Sequence, residues 1–334
     1  MFTKISLFLF LLLTFSQGAA ADTVVGKCIK GDCADGRGMK VFADGSRYIG
    51  QFAKGVADGA GVYIEKSGAA TEGVFLHGTD KGHGVKTWPD GSRYDGQFYN
   101  FLANGQGQKT MANGSHFSGL WRNGVFYRGT GVLNEASGRH YEGTYKHALF
   151  QGMGHLTKAD GSQYEGHFSA GKFAGQGKLT LADGTVYVGG FKDNLYDKKG
   201  KLAWADGSWF EGGFVKGKYA GQGTLTKLDG SEYKGQFKDG EMTGQGVMTF
   251  ADGRQYTGMF KHGKFNGHGV MTNKAGVRLE GDFANGLYVE FSDHKEVIPE
   301  PDTAFVAPPA VAESDLSLAT PKEVKAKVGK KGKK

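Results

Sequence analysis

The sequence predicts an all-β protein built from one small unit used many times, and three observations predict it. The string "DGSEYKGQFKDGEMTGQG" from Asp229 returns almost unchanged as "DGSRYIGQFAKGVADGAG" from Asp44 and "DGSQYEGHFSAGKFAGQG" from Asp160. Its aromatic residues recur at intervals of 23 residues, which marks a repeat architecture. Within each copy the aromatic and polar residues alternate with period two, the spacing of a half-buried strand.

Aligning the copies fixes the register. A first anchor falls at Tyr48, Thr71, Tyr94, Phe117, Tyr141, Tyr164, Tyr187, Phe210, Tyr233, Tyr256 and Leu279, with one step of 24 residues between Phe117 and Tyr141. Four residues later comes a second anchor: Phe52, Phe75, Phe98, Trp121, Tyr145, Phe168, Phe191, Phe214, Phe237, Phe260 and Phe283. A degenerate opening copy fits at Val24, Gly26 and Cys28, so about twelve copies span residues 22–290.

One copy shows the expected local structure. Tyr233, Gly235 and Phe237 sit at i, i+2 and i+4, so an extended chain points them to one face, with Lys234 and Gln236 on the other. After a short loop, Gly244-Gln245-Gly246 opens a second run in which Gly246, Met248 and Phe250 share a face. Asp-Gly follows, a strong hairpin-turn signal between alternating runs. Each copy therefore reads as strand, loop, strand, tight turn. The glycines of the aromatic face are expected to leave room for rings from the neighbouring hairpin, because glycine has no side chain in the way.

The pattern Y-x-G-x-F-x-x-G-x-x-x-G-x-G, carried in register over some four-fifths of the chain, resembles the MORN repeat (membrane occupation and recognition nexus). The resemblance implies an elongated, curved single-layer antiparallel sheet of successive hairpins. It also implies scaffolding, protein–protein contact and lipid binding as roles. The structural anchors on which it rests include Tyr48, Phe52, Tyr94, Phe98, Trp121, Tyr141, Tyr164, Phe168, Tyr187, Phe191, Phe214, Tyr233, Phe237, Tyr256 and Phe260. The sequence departs from the pattern at Thr71 and Leu279 in the first anchor, and at Phe101, Ala148, Asn194 and Lys198 where glycine is usual.

The ends have a different character. "MFTKISLFLFLLLTFSQGAAAD" joins Lys4, an apolar run from Ile5 to Phe15 and the small residues Ala19-Ala20-Ala21. That reads as a secretory signal peptide, residues 1–21, cut after Ala21; the apolar run is about half the 20 residues a membrane-spanning helix needs. The reading places the mature chain in a secreted or periplasmic compartment. The only cysteines are Cys28 and Cys33, and in an oxidising compartment a pair at this spacing fits a disulfide closing a small loop. At the other end, residues 291–334 hold five of the six prolines and lose the period, as a disordered tail does.

About +6 of the net charge of +7 sits in the last fourteen residues, from Pro321 to Lys334. Lys322, Lys325, Lys327, Lys330, Lys331, Lys333 and Lys334 stand against a single glutamate, with an acidic segment before them. Such a cluster is drawn to anionic lipid by about 1 kcal/mol per lysine, or it serves as a solvated end. The repeats themselves read as near neutral, without the concentrated basic face of a nucleic-acid binder.

No motif calls for an enzyme or a cofactor. Gly244-Gln245-Gly246 lacks the strand–turn–helix setting of a dinucleotide loop, and no serine sits in a G-x-S-x-G elbow. Residues such as His77, His83, His147, His155, His167, His262 and His268 form no compact metal-ligand set. One Asp-Gly per 23 residues is turn chemistry rather than a calcium repeat. A one-layer array does leave an apolar strip that must be covered by its own rings, a second copy or a partner. The sequence thus favours a non-enzymatic scaffold that binds another envelope protein or a second copy. A membrane-associated protein held by its tail and a glycan-binding surface are the alternatives.

Overall fold

The computed structural model describes residues 26–289. The expected leader and the lysine tail lie outside the described residues. Those residues form 24 strands and no helix, all in antiparallel hairpins. They fall into two compact units divided after Pro89.

In the first unit β1 (Lys27–Gly31), β2 (Arg37–Val41), β3 (Arg47–Ala53), β4 (Val56–Ile64), β5 (Ala70–Leu76) and β6 (Thr79–Thr87) pair antiparallel in chain order. In the second unit the same alternation runs from β7 (Arg93–Tyr99) and β8 (Leu102–Thr110) to β23 (Arg278–Ala284) and β24 (Leu287–Tyr288). A full copy joins a seven-residue strand to a nine-residue one, as in β19 (Glu232–Lys238) and β20 (Glu241–Thr249).

The order of the two connections within a copy is the reverse of the sequence expectation. The tight turn comes first: Lys238 pairs with Glu241 across Asp239-Gly240, whose φ values are +53° and +95°. Two positive φ angles in a two-residue loop define a type I′ turn. The second strand therefore starts at Glu241, three residues before the glycines that were expected to open it. The Asp-Gly string lies in the other, five-residue connection. There Gly207 N–H donates to Trp204 O at 3.0 Å, and Asp206 Oδ1 accepts from the Ser208 N–H at 2.8 Å. Only Gly207 has a positive φ, +91°. Asp-Gly is a strong hairpin dipeptide, but here the aspartate caps the backbone two residues on, as Asx turns do.

The aromatic face holds the core, and its packing differs from expectation in one respect. Where a ring covers a glycine pair, it comes from the same hairpin, not the neighbouring one, and the Gly73–Gly84 pair beside Thr71 shows no ring among the described residues. Gly235 lies opposite Gly246, and a β-carbon on either would sit 2.3–2.5 Å from the nearest atom of the Tyr233 ring. Tyr48 covers Gly50 and Gly61 in the same way, and Tyr187 covers Gly189 and Gly200. Neighbouring copies then meet through ring edges. Tyr187 makes T-shaped contacts with Phe191 of its own copy and Phe214 of the next, with centroids at 5.0 and 5.1 Å. Tyr164 does so with Phe168 and Phe191, and Tyr256 with Phe260 and Phe283. Each such pair contributes about 0.5–1.5 kcal/mol beyond its buried area.

A third ring position, nine residues after the first anchor, completes the stack. Phe150, Phe173, Tyr196, Tyr219 and Phe265 lie flat on Tyr141, Tyr164, Tyr187, Phe210 and Tyr256 at 3.6–3.9 Å. The first anchor is thus enclosed by bare glycine backbone beneath, a ring above and ring edges at both sides. Tyr141, Tyr187, Tyr256, Phe173 and Phe265 are all fully buried without a second layer.

The tyrosine hydroxyl has its own task. Most copies have a register shift just after the first-strand glycine, as between Gly235 and Gln236. The Tyr233 hydroxyl reaches over that bulge and donates to Gln236 O at 3.0 Å. Tyr94, Tyr141, Tyr164, Tyr187 and Tyr256 donate to the carbonyl at the same offset, at 2.8–3.0 Å. Gln51 and Gln97, on the first strands, also close the bulge, accepting from the N–H groups of Ala60 and Gln106 on the second. The 24-residue step is absorbed in the ten-residue strand Val125–Asn134, where the register shifts between Phe126 and Arg128 instead.

Two stability effects follow from this geometry. Phe210 occupies the same pose as the tyrosines but has no hydroxyl, so Phe210→Tyr should gain about 1 kcal/mol by bonding Gly213 O, and Tyr233→Phe should lose a similar amount. Denaturant melts of both variants check the pair. Ala148 is held at φ +59° in a type I′ turn, a cost of roughly 1–2 kcal/mol that glycine escapes. Ala148→Gly should therefore raise the melting temperature, and Gly171→Ala, at φ +82°, should lower it.

Candidate functional site

None of the sequence-predicted anchors forms a surface site. The structure brings them together as a core, and the third ring position that joins them was not singled out in the sequence. Burial pushes the phenols of Tyr48, Tyr94 and Tyr256 up to about 12, and those of Tyr141, Tyr164, Tyr187 and Tyr233 higher still. Groups so far from neutrality are poor general acids or bases. Trp121 is equally internal, its Nε1–H donating to Gly107 O at 3.0 Å.

Asp44, Asp206 and Asp229 are held below the ordinary carboxylate range, chiefly by hydrogen bonds from the side-chain hydroxyls of Ser46, Ser208 and Ser231. These aspartates are turn caps. Among the described residues no group of three or more metal-ligating side chains is clustered. Cys28 and Cys33 are joined by a disulfide, with Cα atoms 5.9 Å apart, linking β1 to the loop after it. The side chains of β1 are all exposed.

The surface left for recognition is the opposite, polar face. Its floor is the column of paired glycines seen from behind. Gly223 pairs with Gly235, Gly235 with Gly246 and Gly246 with Gly258, and their missing side chains leave bare backbone. One wall is the cross-strand row Thr224, Lys234, Val247 and Thr257. Gln222 and Gln245 stand on the other wall. Together they bound a shallow groove of about 580 Å³. Lys234 is paired with Glu232 at 2.5 Å. Amides, hydroxyls and backbone over such a floor offer hydrogen bonds to an extended polar chain lying across the strands. The sequence showed the alternation that builds both walls, but not the groove, which exists only because glycines from three neighbouring strands, Gly223, Gly235 and Gly246, align.

A chain of consecutive antiparallel hairpins, each contacting its neighbours through the same residues, is a repeat protein whose function resides in its surfaces. The family model "MORN repeat" matches residues 48–68, 72–93, 94–116, 141–163, 164–186, 187–209, 210–232, 233–253 and 256–278. These segments make up more than half of the chain, and the protein belongs to the MORN repeat family. No curated protein matches the chain.

Solved structures with some likeness include the TCP domain of SAS-4 (dCPAP) from Drosophila melanogaster in complex with a proline-rich motif of Ana2. It is 12% identical, with 54% of this chain and 86% of that one covered and a TM-score of 0.28. The TCP10 domain of CPAP from Danio rerio in complex with a STIL peptide is 14% identical, with coverage of 73% and 98% and a TM-score of 0.25. Virginiamycin B lyase from Staphylococcus aureus is 10% identical, with coverage of 78% and 88% and a TM-score of 0.14. Likeness at this level carries nothing about function.

Proposed function

We propose that this MORN repeat protein is a non-enzymatic scaffold of the cell envelope that holds an extended segment of a protein partner along its polar face. The observation that carries the reading is the self-contained aromatic face. Because its rings bury one another, they are not available to a ligand, and recognition falls to the groove over the glycine column. In this reading residues 1–21 export the chain to a secreted or periplasmic compartment. The seven lysines from Lys322 to Lys334 tether the scaffold to an anionic surface.

Binding of anionic lipid by the rings, or stacking of sugars on them, is disfavoured by the same burial. A photo-crosslinking residue placed at Gln245 should give a discrete protein adduct in cells, and one placed at Ala205, in the Asp-Gly connection, should give none. Adducts from Ala205 alone, or from neither position, contradict the assignment of the polar groove.

A further inference from the structure

Charge that is nearly balanced along the sequence is segregated in space. In the second unit every type I′ turn lies on one rim of the sheet, and every five-residue Asp-Gly connection lies on the other. Six of these nine turns, at 146–149, 169–172, 192–195, 215–218, 238–241 and 261–264, carry eight lysines against three carboxylates, Asp193, Asp239 and Glu241, while those at 99–102, 122–125 and 284–287 carry no lysine. Lys146, Lys192, Lys216, Lys218, Lys238 and Lys261 are exposed, and among the described residues none of the six is in an ion pair. Of the carboxylates, Asp193 is 3.6 Å from Lys172, and Glu241 faces His262 at 2.9 Å. The opposite rim is mixed: it repeats an aspartate, at Asp160, Asp183, Asp206, Asp229 and Asp252, and three of these have Lys158, Lys227 or Arg254 beside them.

We propose that the lysine rim of the second unit binds a linear polyanion laid along it, across the ends of the hairpins. The spacing supports a polymer. Adjacent strands are about 4.8 Å apart, so one repeat advances about 10 Å and the six turns form a single file roughly 50 Å long. The same geometry disfavours a flat anionic surface. Strands in a sheet turn by about 20° each, so neighbouring repeats differ by about 40°, and a plane meets only two or three of the turns at once. A flexible chain follows the rim and meets all of them, releasing counterions as each lysine is engaged. The other rim, where aspartates and cations are mixed, presents no comparable row of lysines. The shared chemistry is a row of anionic groups along a backbone, phosphate or carboxylate.

The test uses the full chain with its seven tail lysines changed to glutamine, so that only the repeats are read. Labelled long-chain polyphosphate and polygalacturonate serve as probes in anisotropy titrations at several salt concentrations, and tighter binding of one identifies the anionic group. The K192Q/K216Q/K218Q/K238Q variant should bind more than tenfold more weakly at fixed salt, with a salt dependence reduced by roughly one in slope per lysine engaged. The control K178Q/K199Q/K201Q, on the polar face away from the rim, should change by less than twofold. The milder K216Q/K218Q pair serves if the fourfold variant loses its strand circular dichroism, and should weaken binding at least threefold. Equal loss in rim and control variants overturns the proposal, as does no loss in the rim variants. Tighter binding to anionic vesicles than to either polymer overturns it as well. None of these outcomes depends on the polar groove.

Discussion

Most repeats depend on one close approach: an aromatic ring lying against two glycines that face each other across a hairpin. A strand with glycine at its centre gives up side-chain packing and loses more backbone entropy on folding than any other. The structure offsets that by placing the largest available surface where the two β-carbons would have been. With the ring seated, its edges reach the second anchors of its own copy and the next, as Tyr187 reaches Phe191 and Phe214. The contact that holds a hairpin together is then also the contact that holds it to its neighbour. Stability of this kind is a nearest-neighbour property that propagates along the array.

The same glycine column explains why one face is closed and the other available. On the aromatic side it is filled by rings. On the polar side it is a trench of backbone between two walls of side chains, which vary from copy to copy without disturbing the core. On one wall, Thr224, Lys234, Val247 and Thr257 can change chemistry freely because their neighbours across the strands are other surface residues. The rims are a third surface with its own rule. Type I′ turns demand two positive φ angles, but leave the flanking residues free to become lysine, as at Lys192, Lys218 and Lys261.

Much of the fold was legible because the period is strict. The anchors Tyr233, Phe237, Tyr256 and Phe260 could be placed on one face from spacing alone, and so could the alternation with Lys234 and Gln236. Three features were hidden for physical reasons. Both connections contain glycine, so the choice between them depends on backbone geometry; Asp206 looked like a hairpin residue because its capping of Ser208 is invisible in sequence. Phe173 and Phe265 fall directly after a turn, where the period-two pattern restarts and a ring looks like part of a loop. The bulge at Gly235 and Gln236 shifts the register by two, so the glycine pair that shares a ring joins positions eleven residues apart. The candidate surface was less legible still, since a groove and a charged rim come from residues one repeat apart in sequence.

The account rests on the claim that the paired glycines are there to seat a ring, not to relieve the backbone. Gly246 allows that to be tested, because its φ is not positive and the Tyr233 ring lies where its β-carbon would be. The measurement is a double-mutant cycle on the full chain, unfolding Gly246→Ala with Tyr233 present and with Tyr233→Ala. The account predicts a loss of about 2–3 kcal/mol from overpacking when the ring is present. In its absence alanine should be neutral or should gain about 0.5–1 kcal/mol, as in an ordinary strand. An equal loss in both backgrounds would show that the glycine serves the backbone, and would contradict the claim.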